Sequence, residues 1–262
     1  MEVFIMARIV DLNSDLGESF GVYKLGMDSK VMKYVTSSNI ACGWHAGDPL
    51  IMNKTVAEAV KNGVAVGAHP GYPDLMGFGR RNIDVSPAEA RAYMLYQVGA
   101  LSAFAKANGV KLQHIKLHGA FYNTACVKPD LADSIVDAIA DTFGRDIILM
   151  ALSGSYLLKR GEEKGLRVAH EVFADRAYNV DGTLVSRKLP GSMIHDKDLA
   201  IQRIKRMVIE GKVTAIDGTD IDIKADSICT HGDNPEAVNF VKTIRESLEA
   251  DGIQVKSIES FI

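Results

Sequence analysis

The sequence predicts an α/β fold, a TIM-like β/α barrel with an irregular count of seven strands, on three observations. Short β-branched runs alternate with capped amphipathic segments along the chain. Seven such pairs can be counted, a rhythm that calls for a parallel sheet wrapped by helices. Most of the runs end in ionisable residues, and parallel sheets gather the loops after their strands at one face. An open doubly wound sheet fits the same rhythm and is the second expectation. No composition shift or flexible linker divides the chain, so residues 1–262 are expected to form one barrel domain.

The elements follow in order. "RIVDLN" (8–13) is the first strand and "DSKVMKYV" (28–35) a short helix. "NIACG" (39–43) is the second strand. Asp48-Pro49 then supplies an N-cap and a first-turn proline, and Asn62-Gly63 closes that helix. "VAVGAH" (64–69) is the third strand. Ser86-Pro87-Ala88-Glu89 reads as a capping box opening a long helix, with Met94, Val98, Leu101 and Ala105 on one stripe, that stops near Gly109. "QHIKLH" (113–118), "DIILMAL" (146–152), "LRVAHE" (166–171) and "DSICTH" (226–231) complete the strands. Helices are expected at 129–142, 154–164, 197–211 and 234–250. "VTAIDGTDIDIKA" (213–225) breaks the rhythm as a hairpin turning at Asp217-Gly218, and "IQVKSI" (253–258) adds a last strand.

Composition narrows the function classes. The chain has 262 residues, 47% of them apolar, enough for a substantial core. A net charge of −3 gives no reason to expect a polyanionic partner. The three cysteines, Cys42, Cys126 and Cys229, lie far apart, form no metal-type pair and fit a reducing compartment. The apolar run at the start is interrupted by Arg8 and Asp11 and is too short for a signal peptide. No stretch reaches the roughly 20 apolar residues of a membrane span. The expectation is a cytoplasmic enzyme.

Chemistry collects at the strand ends. Strand one runs into Asn13 and Asp15, strand two into Trp44, His45 and Asp48, and strand three into His69 and Asp74. Strand four runs into Lys116, His118, Tyr122 and Asn123. Strand six, in "HEVFADR" (170–176), meets Glu171, Asp175 and Arg176, and the last strand meets His231 and Asp233. Asp48 and Asp233 also suit helix N-caps. Lys116, flanked by Ile115 and Leu117, needs an anionic partner if buried, and Glu171 and Asp175 are candidates. A purely structural ion pair is the plainer alternative. His114 and His118 have a metal-like spacing only on a helix. On a strand they lie roughly 13 Å apart, too far to share an ion. His45, His69, His231, Asp15 and Glu171 meet around a divalent metal only if the fold converges them. Spacing offers no support for that, so no tightly bound metal is expected. There is no P-loop and no G-x-G-x-x-G after a strand. "MGFGRR" (76–81) offers Arg80 and Arg81 to an anion, or is simply a solvated basic loop.

Several stretches together resemble a known family: "VDLNSDLGE" (10–18), "SSNIACGWHAGDP" (37–49), "GVAVGAHPGYPD" (63–74), "FGRR" (78–81), "YQVGAL" (96–101), "HIKLHGAFYN" (114–123), "EVFADRAYNVDGTLVSR" (171–187) and "CTHGD" (229–233). They are similar to the LamB/YcsF family, the A subunits of ATP-dependent 5-oxoprolinase, in the right order over nearly the whole chain. Leu117 stands where the family usually has proline, and Trp44 where phenylalanine is common.

The resemblance implies a seven-stranded barrel related to the glycoside hydrolase/deacetylase superfamily. It implies conversion of 5-oxo-L-proline, ATP and water to L-glutamate, ADP and phosphate, with partner subunits B and C. Phosphorylating the lactam oxygen with ATP activates an otherwise inert amide. Water attack then needs a base, cations and a proton donor. For these roles the strand ends offer Glu171 or Asp175, Lys116 and Arg176, and His118 or His231, respectively. Asn13, Asp15, His45, His69, Arg80, Asn123, Arg176, Arg187 and Asp233 are expected to hold substrate or phosphate. With no nucleotide loop here, ATP and its magnesium are expected mainly on the partners. The alternative is a metal-dependent amide or N-acetyl hydrolase of the deacetylase type.

Overall fold

The computed structural model describes residues 8–231 and 234–262. Its strands are β1 (Ile9–Leu16), β2 (Ser37–Ala41), β3 (Ala65–His69), β4 (His114–Ile115), β5 (Ile148–Leu152), β6 (Arg167–Phe173), β7 (Lys212–Thr214), β8 (Asp220–Asp222), β9 (Ser227–Thr230) and β10 (Gln254–Val255). Strands β1 to β6 and β9 are parallel, and the β1–β9 and β6–β9 pairings close them into a seven-stranded barrel. β10 pairs with the start of β1 through Ile9 and Val10. β7 and β8 form the expected antiparallel hairpin. The closed barrel, not the open sheet, is therefore the architecture.

The helices are α1 (Asp28–Val31), α2 (Pro49–Lys61), α3 (Pro87–Ala107), α4 (Gly119–Ala125), α5 (Pro129–Thr142), α6 (Tyr156–Glu163), α7 (Lys197–Glu210) and α8 (Pro235–Ala250). Caps set their starts as the sequence indicates. The Asp48 carboxylate accepts from the Leu50 and Ile51 amides at 2.8 and 3.0 Å, and Ser86 with Glu89 completes a capping box on α3. Asn234 caps α8. Asp233, also expected as a cap, lies outside the described residues. α4 was not expected: it is short and begins directly after His118.

Strand residues alternate between two environments. On β1, Val10, Leu12 and Leu16 join the apolar layer beneath the helices. Asp11, Asn13 and Asp15 point the other way, into the barrel, where Asn13 and Asp15 meet Lys116 of the distant β4 segment. Ile115 and Leu117 belong to the apolar layer, whereas His114 and Lys116 reach across the lumen. Burying each such aliphatic side chain contributes about 1.5–3 kcal/mol, so the outer layer sustains a barrel whose interior is unusually polar. A second apolar group, Ile148, Met150, Ala169 and Ile258 with Phe261 and Ile262, packs the C-terminal segment against β5 and β6.

Candidate active site

Polar residues on β1, β2, β4, β6 and β9 meet inside the barrel. The deepest is Asp11, whose carboxylate accepts from the hydroxyls of Thr36 and Ser37 at 2.6 Å each, and from Ser227. Burial pushes its pKa up to about 6 against the pull of those hydroxyls. Above it, Asn13 donates to Ser227 Oγ at 2.7 Å. Asn39 donates to Asn13 Oδ1 and Asp15 Oδ1 at 2.7 and 2.8 Å, and accepts from His114 Nε2 at 2.7 Å. His114 is thus part of the interior scaffold and shares nothing with His118, in line with the strand reading.

Lys116 is the hub. Its Nζ lies 2.7 Å from Glu171 Oε1 and 3.0 Å from Asp15 Oδ1. It also donates to Asn13 Oδ1 and Cys229 Sγ, both at 3.2 Å. Burial opposes the ammonium charge, but the carboxylates outweigh it and hold Lys116 well above its ordinary value. Glu171 is fully enclosed: Tyr122 donates its phenol to Oε2 at 2.7 Å while Lys116 covers Oε1. Burial, together with the Glu171 charge, pushes the Tyr122 phenol well above the usual range. The expected Lys116–Glu171 pairing is therefore present, and Asp15 is a second partner.

On one side of this hub the structure gathers His45, His69, His118 and Glu18. The His45 and His118 rings stack with centroids 3.6 Å apart. His118 Nδ1 lies 2.9 Å from His69 Nε2, and His45 Nε2 lies 3.1 Å from Glu18 Oε1. Burial and mutual repulsion hold His45 and His118 well below the ordinary imidazole range. Phe78 sits over the cluster with a left-handed φ of 54°, uncommon outside glycine. That turn aims its carbonyl at His118 Nε2, 2.8 Å away.

On the other side, His231 Nδ1 donates to Asp175 Oδ2 at 2.9 Å. Burial opposes both charges, yet each partner's charge prevails: Asp175 falls to about 2 and His231 rises to about 9. Both are partly open to solvent, at 19% and 20%. The guanidinium groups of Arg176, Arg187 and Arg80 converge nearby. Burial lowers Arg176 to about 10, and repulsion from Arg187 and Arg80 adds to it. Among the described residues none of the three is in an ion pair. Arg176 donates to the Val185 carbonyl at 2.6 Å, and Arg80 lies 5.1 Å over the Phe78 ring.

Two sequence expectations change. Arg81 is not free for an anion, because its Nε donates to Asp74 Oδ1 at 2.9 Å and closes the loop after β3. Asn123 is exposed on α4, and the neighbouring Tyr122 is the residue that faces the hub. Asp48 is the N-cap of α2, as expected, and also accepts from the Gly21 amide at 2.8 Å. Sequence reasoning passed over Glu18, Asn39, Cys229 and Phe78. Asn39 and Cys229 carry the period-two signal of an inward strand position. Glu18 and Phe78 lie on loops and carry none.

A family model described as the LamB/YcsF family matches residues 10–262. The chain belongs to the LamB/YcsF family. Relatives in this family include the 5-oxoprolinase A-subunit of Fusobacterium nucleatum, 65% identical over 257 residues, which span 98% of this chain and all of that protein. That of Pyrococcus horikoshii is 59% identical over 253 residues, 97% of this chain and 99% of the relative. Among solved structures, the lactam utilization protein from Thermus thermophilus superposes with a TM-score of 0.89 at 45% identity, covering 95% of this chain and 99% of that one. The LamB/YcsF barrel is thus the setting of the Lys116 hub and its two flanking clusters. Among the described residues no helix is long and apolar enough to cross a membrane.

Proposed function

We propose that this chain is the A-subunit of an ATP-dependent 5-oxoprolinase that converts 5-oxo-L-proline to L-glutamate together with subunits B and C. The observation that carries this reading is 65% identity, end to end, to a protein of that name. The whole chain acts as one barrel domain in the cytoplasm, in keeping with three free, buried cysteines. ATP is a co-substrate, and it and its magnesium are held mainly by the partners.

The geometry suits the chemistry. Transfer of the terminal phosphoryl group to the lactam oxygen releases ADP and makes the ring carbon electrophilic. Water adds to that carbon, the ring C–N bond breaks, nitrogen takes a proton, and a second water releases phosphate. Arg80, Arg176 and Arg187, without an ion pair among the described residues, supply positive charge for a carboxylate or phosphoryl group. The His231 imidazolium is the proton donor to nitrogen, and Asp175 orients it through Oδ2 while its buried Oδ1 has no hydrogen-bond partner among the described residues. Lys116 presents an ammonium group at the floor of the site, held by Asp15 and Glu171. We assign the base to Asp175 rather than Glu171, because Glu171 is sealed behind Lys116 and Tyr122.

The test is glutamate formation from 5-oxoproline with ATP, by the chain alone and then with its two partners. Activity only in the mixture is expected, since the chain has no nucleotide loop. Robust turnover by the single chain would overturn the division of labour. Amide hydrolysis without ATP would instead favour the metal-dependent amide hydrolase reading, which the clustered histidines keep open.

A further inference from the structure

We infer that Glu18, His45, His69 and His118 form a binding site for one divalent transition-metal ion of the zinc class. The inference goes beyond the 5-oxoprolinase reading, and its test needs neither ATP nor partner subunits.

Two backbone carbonyls decide the matter. His69 Nδ1 lies 2.8 Å from the Lys116 carbonyl, and His118 Nε2 lies 2.8 Å from the Phe78 carbonyl. A carbonyl oxygen only accepts, so each of those nitrogens must carry the ring hydrogen. The remaining nitrogens, His69 Nε2 and His118 Nδ1, are therefore bare lone pairs when the rings are neutral. Yet they face each other at 2.9 Å. Two acceptors at that distance repel unless something positive lies beside both of them. The carbonyl contacts are also the outer-shell arrangement that fixes tautomer and ring orientation in metal-binding histidines.

The rest of the cluster supplies the other donors. Glu18 Oε1 lies 3.1 Å from His45 Nε2 and 3.7 Å from His118 Nδ1. The four donor atoms fall within 4.8 Å of one another. Donors about 2.0–2.1 Å from a tetrahedral ion are roughly 3.4 Å apart, so closure onto a metal needs shifts of an ångström or less. Three imidazoles and a carboxylate suit zinc, iron, nickel or cobalt rather than magnesium or calcium.

The surroundings are shaped for these rings. A Cβ at Gly71 would come 2.7 Å from His45 Nδ1. One at Gly79, whose φ is +63°, would come 2.7 Å from His45 Cβ and 2.8 Å from His118 Cδ2. An ion here would border the reaction site, because Asp15 Oδ2 is 3.3 Å from His69 Nε2. The competing arrangement is a single proton shared by His69 and His118.

The experiment uses the full chain without a histidine tag, stripped with a chelator and titrated with cobalt(II) and then zinc(II). We expect one equivalent of cobalt with visible d–d absorption, bleached by zinc, and a higher thermal midpoint with either ion. His69→Gln and His118→Gln should abolish the absorption. Glu18→Gln, at the least buried ligand and least risky to folding, should weaken cobalt binding by at least about tenfold. His195→Gln, at an exposed histidine, should bind like the wild type. A folded wild-type chain that takes up no stoichiometric cobalt or zinc would overturn the site in favour of the shared proton. Stoichiometric binding unaffected by Glu18→Gln in a folded protein would place the metal elsewhere and overturn it equally.

Discussion

Two regions of the barrel mouth use the same side chain in opposite ways. His45 and His118 are stacked on each other, and burial, with repulsion from His69 beside both, keeps them neutral. His231, though partly open to solvent, also loses hydration on burial, yet it is held protonated up to about 9 because Asp175 stands against its Nδ1. The difference lies in the counter-charge. A carboxylate in direct contact outweighs desolvation, whereas a neighbouring imidazole adds to it. Histidines held neutral are ligands in waiting, and a histidine held charged is a proton donor. Lys116 lies between the two regions, tied to Asp15 on the neutral side.

The largest effect should come from removing that divider. Lys116→Met deletes an ammonium between two carboxylates, and Asp15 and Glu171 then confront each other in a buried site. Breaking such a pair costs about 3–5 kcal/mol of stability. Loss of one preorganised charge-stabilising group costs about 10²–10³ in turnover. Both the thermal midpoint of the chain and glutamate formation by the assembled complex should fall steeply. Near-normal turnover would show that the two regions work without their divider.

Next is the charged side. Asp175→Asn removes the charge that raises His231 and should lower turnover of the complex by about 10²–10³. It also has a stability signature. The His231 shift, from 6.5 to about 9, corresponds to stabilisation on the order of 3 kcal/mol. Because the folded pKa is raised, that stability is complete below 6.5 and is lost as pH rises through 9. Asp175, depressed from 3.8 to about 2, contributes above 3.8 and loses its share as pH falls through 2. The two shifts describe one pair, so its contribution to stability should be largest between about 4 and 6.5 and decline toward 9. In Asp175→Asn the decline on the alkaline side should disappear. Chemical denaturation across that pH range measures it, and an unchanged slope would dissolve the contrast between the two regions.

Glu171→Gln should have a smaller effect on turnover. Gln keeps the volume and can still accept from Tyr122, and Asp15 remains 3.0 Å from Lys116. We expect a midpoint lowered by several degrees and turnover reduced about tenfold, through displacement of Lys116. A loss above about 10³ with an unchanged midpoint would instead assign the base to Glu171.

The barrel itself was legible because two periodicities agree. Val10-Asp11-Leu12-Asn13 and His114-Ile115-Lys116-Leu117 alternate strictly, and each polar member turned out to face the lumen. The same alternation, read through Ser37 and Asn39 or Ser227 and Cys229, would have revealed the inner scaffold too. The histidine cluster was not legible. His45, His69 and His118 follow three different strands, Glu18 follows a fourth, and no spacing along the chain encodes their meeting. Asn123 was misjudged because α4 begins immediately after His118. On a helix, neighbours diverge by about 100°, so Tyr122 takes the inward position and Asn123 turns outward. Arg81 was misjudged because its partner Asp74 lies seven residues earlier, across a loop whose turns the sequence leaves open.

The smallest effect should come from Asp48, which holds the neutral side without taking part in it. Its Oδ1 caps α2, while its Oδ2 accepts from Gly21 in the loop that carries Glu18. Those backbone bonds hold its pKa below the usual carboxylate range. Asp48→Ala removes the cap at a cost of about 1 kcal/mol, or roughly 2–4 °C in midpoint for a chain of this size. The loop should loosen with it, since the Gly21 amide then has only water to donate to. Turnover should change by less than about threefold. The alkaline decline in stability should stay as in the wild type, because among the described residues no hydrogen bond or ion pair joins Asp175 or His231 to this loop. If that decline moved with Asp48→Ala, the two regions would be one coupled network and not separate environments divided by Lys116.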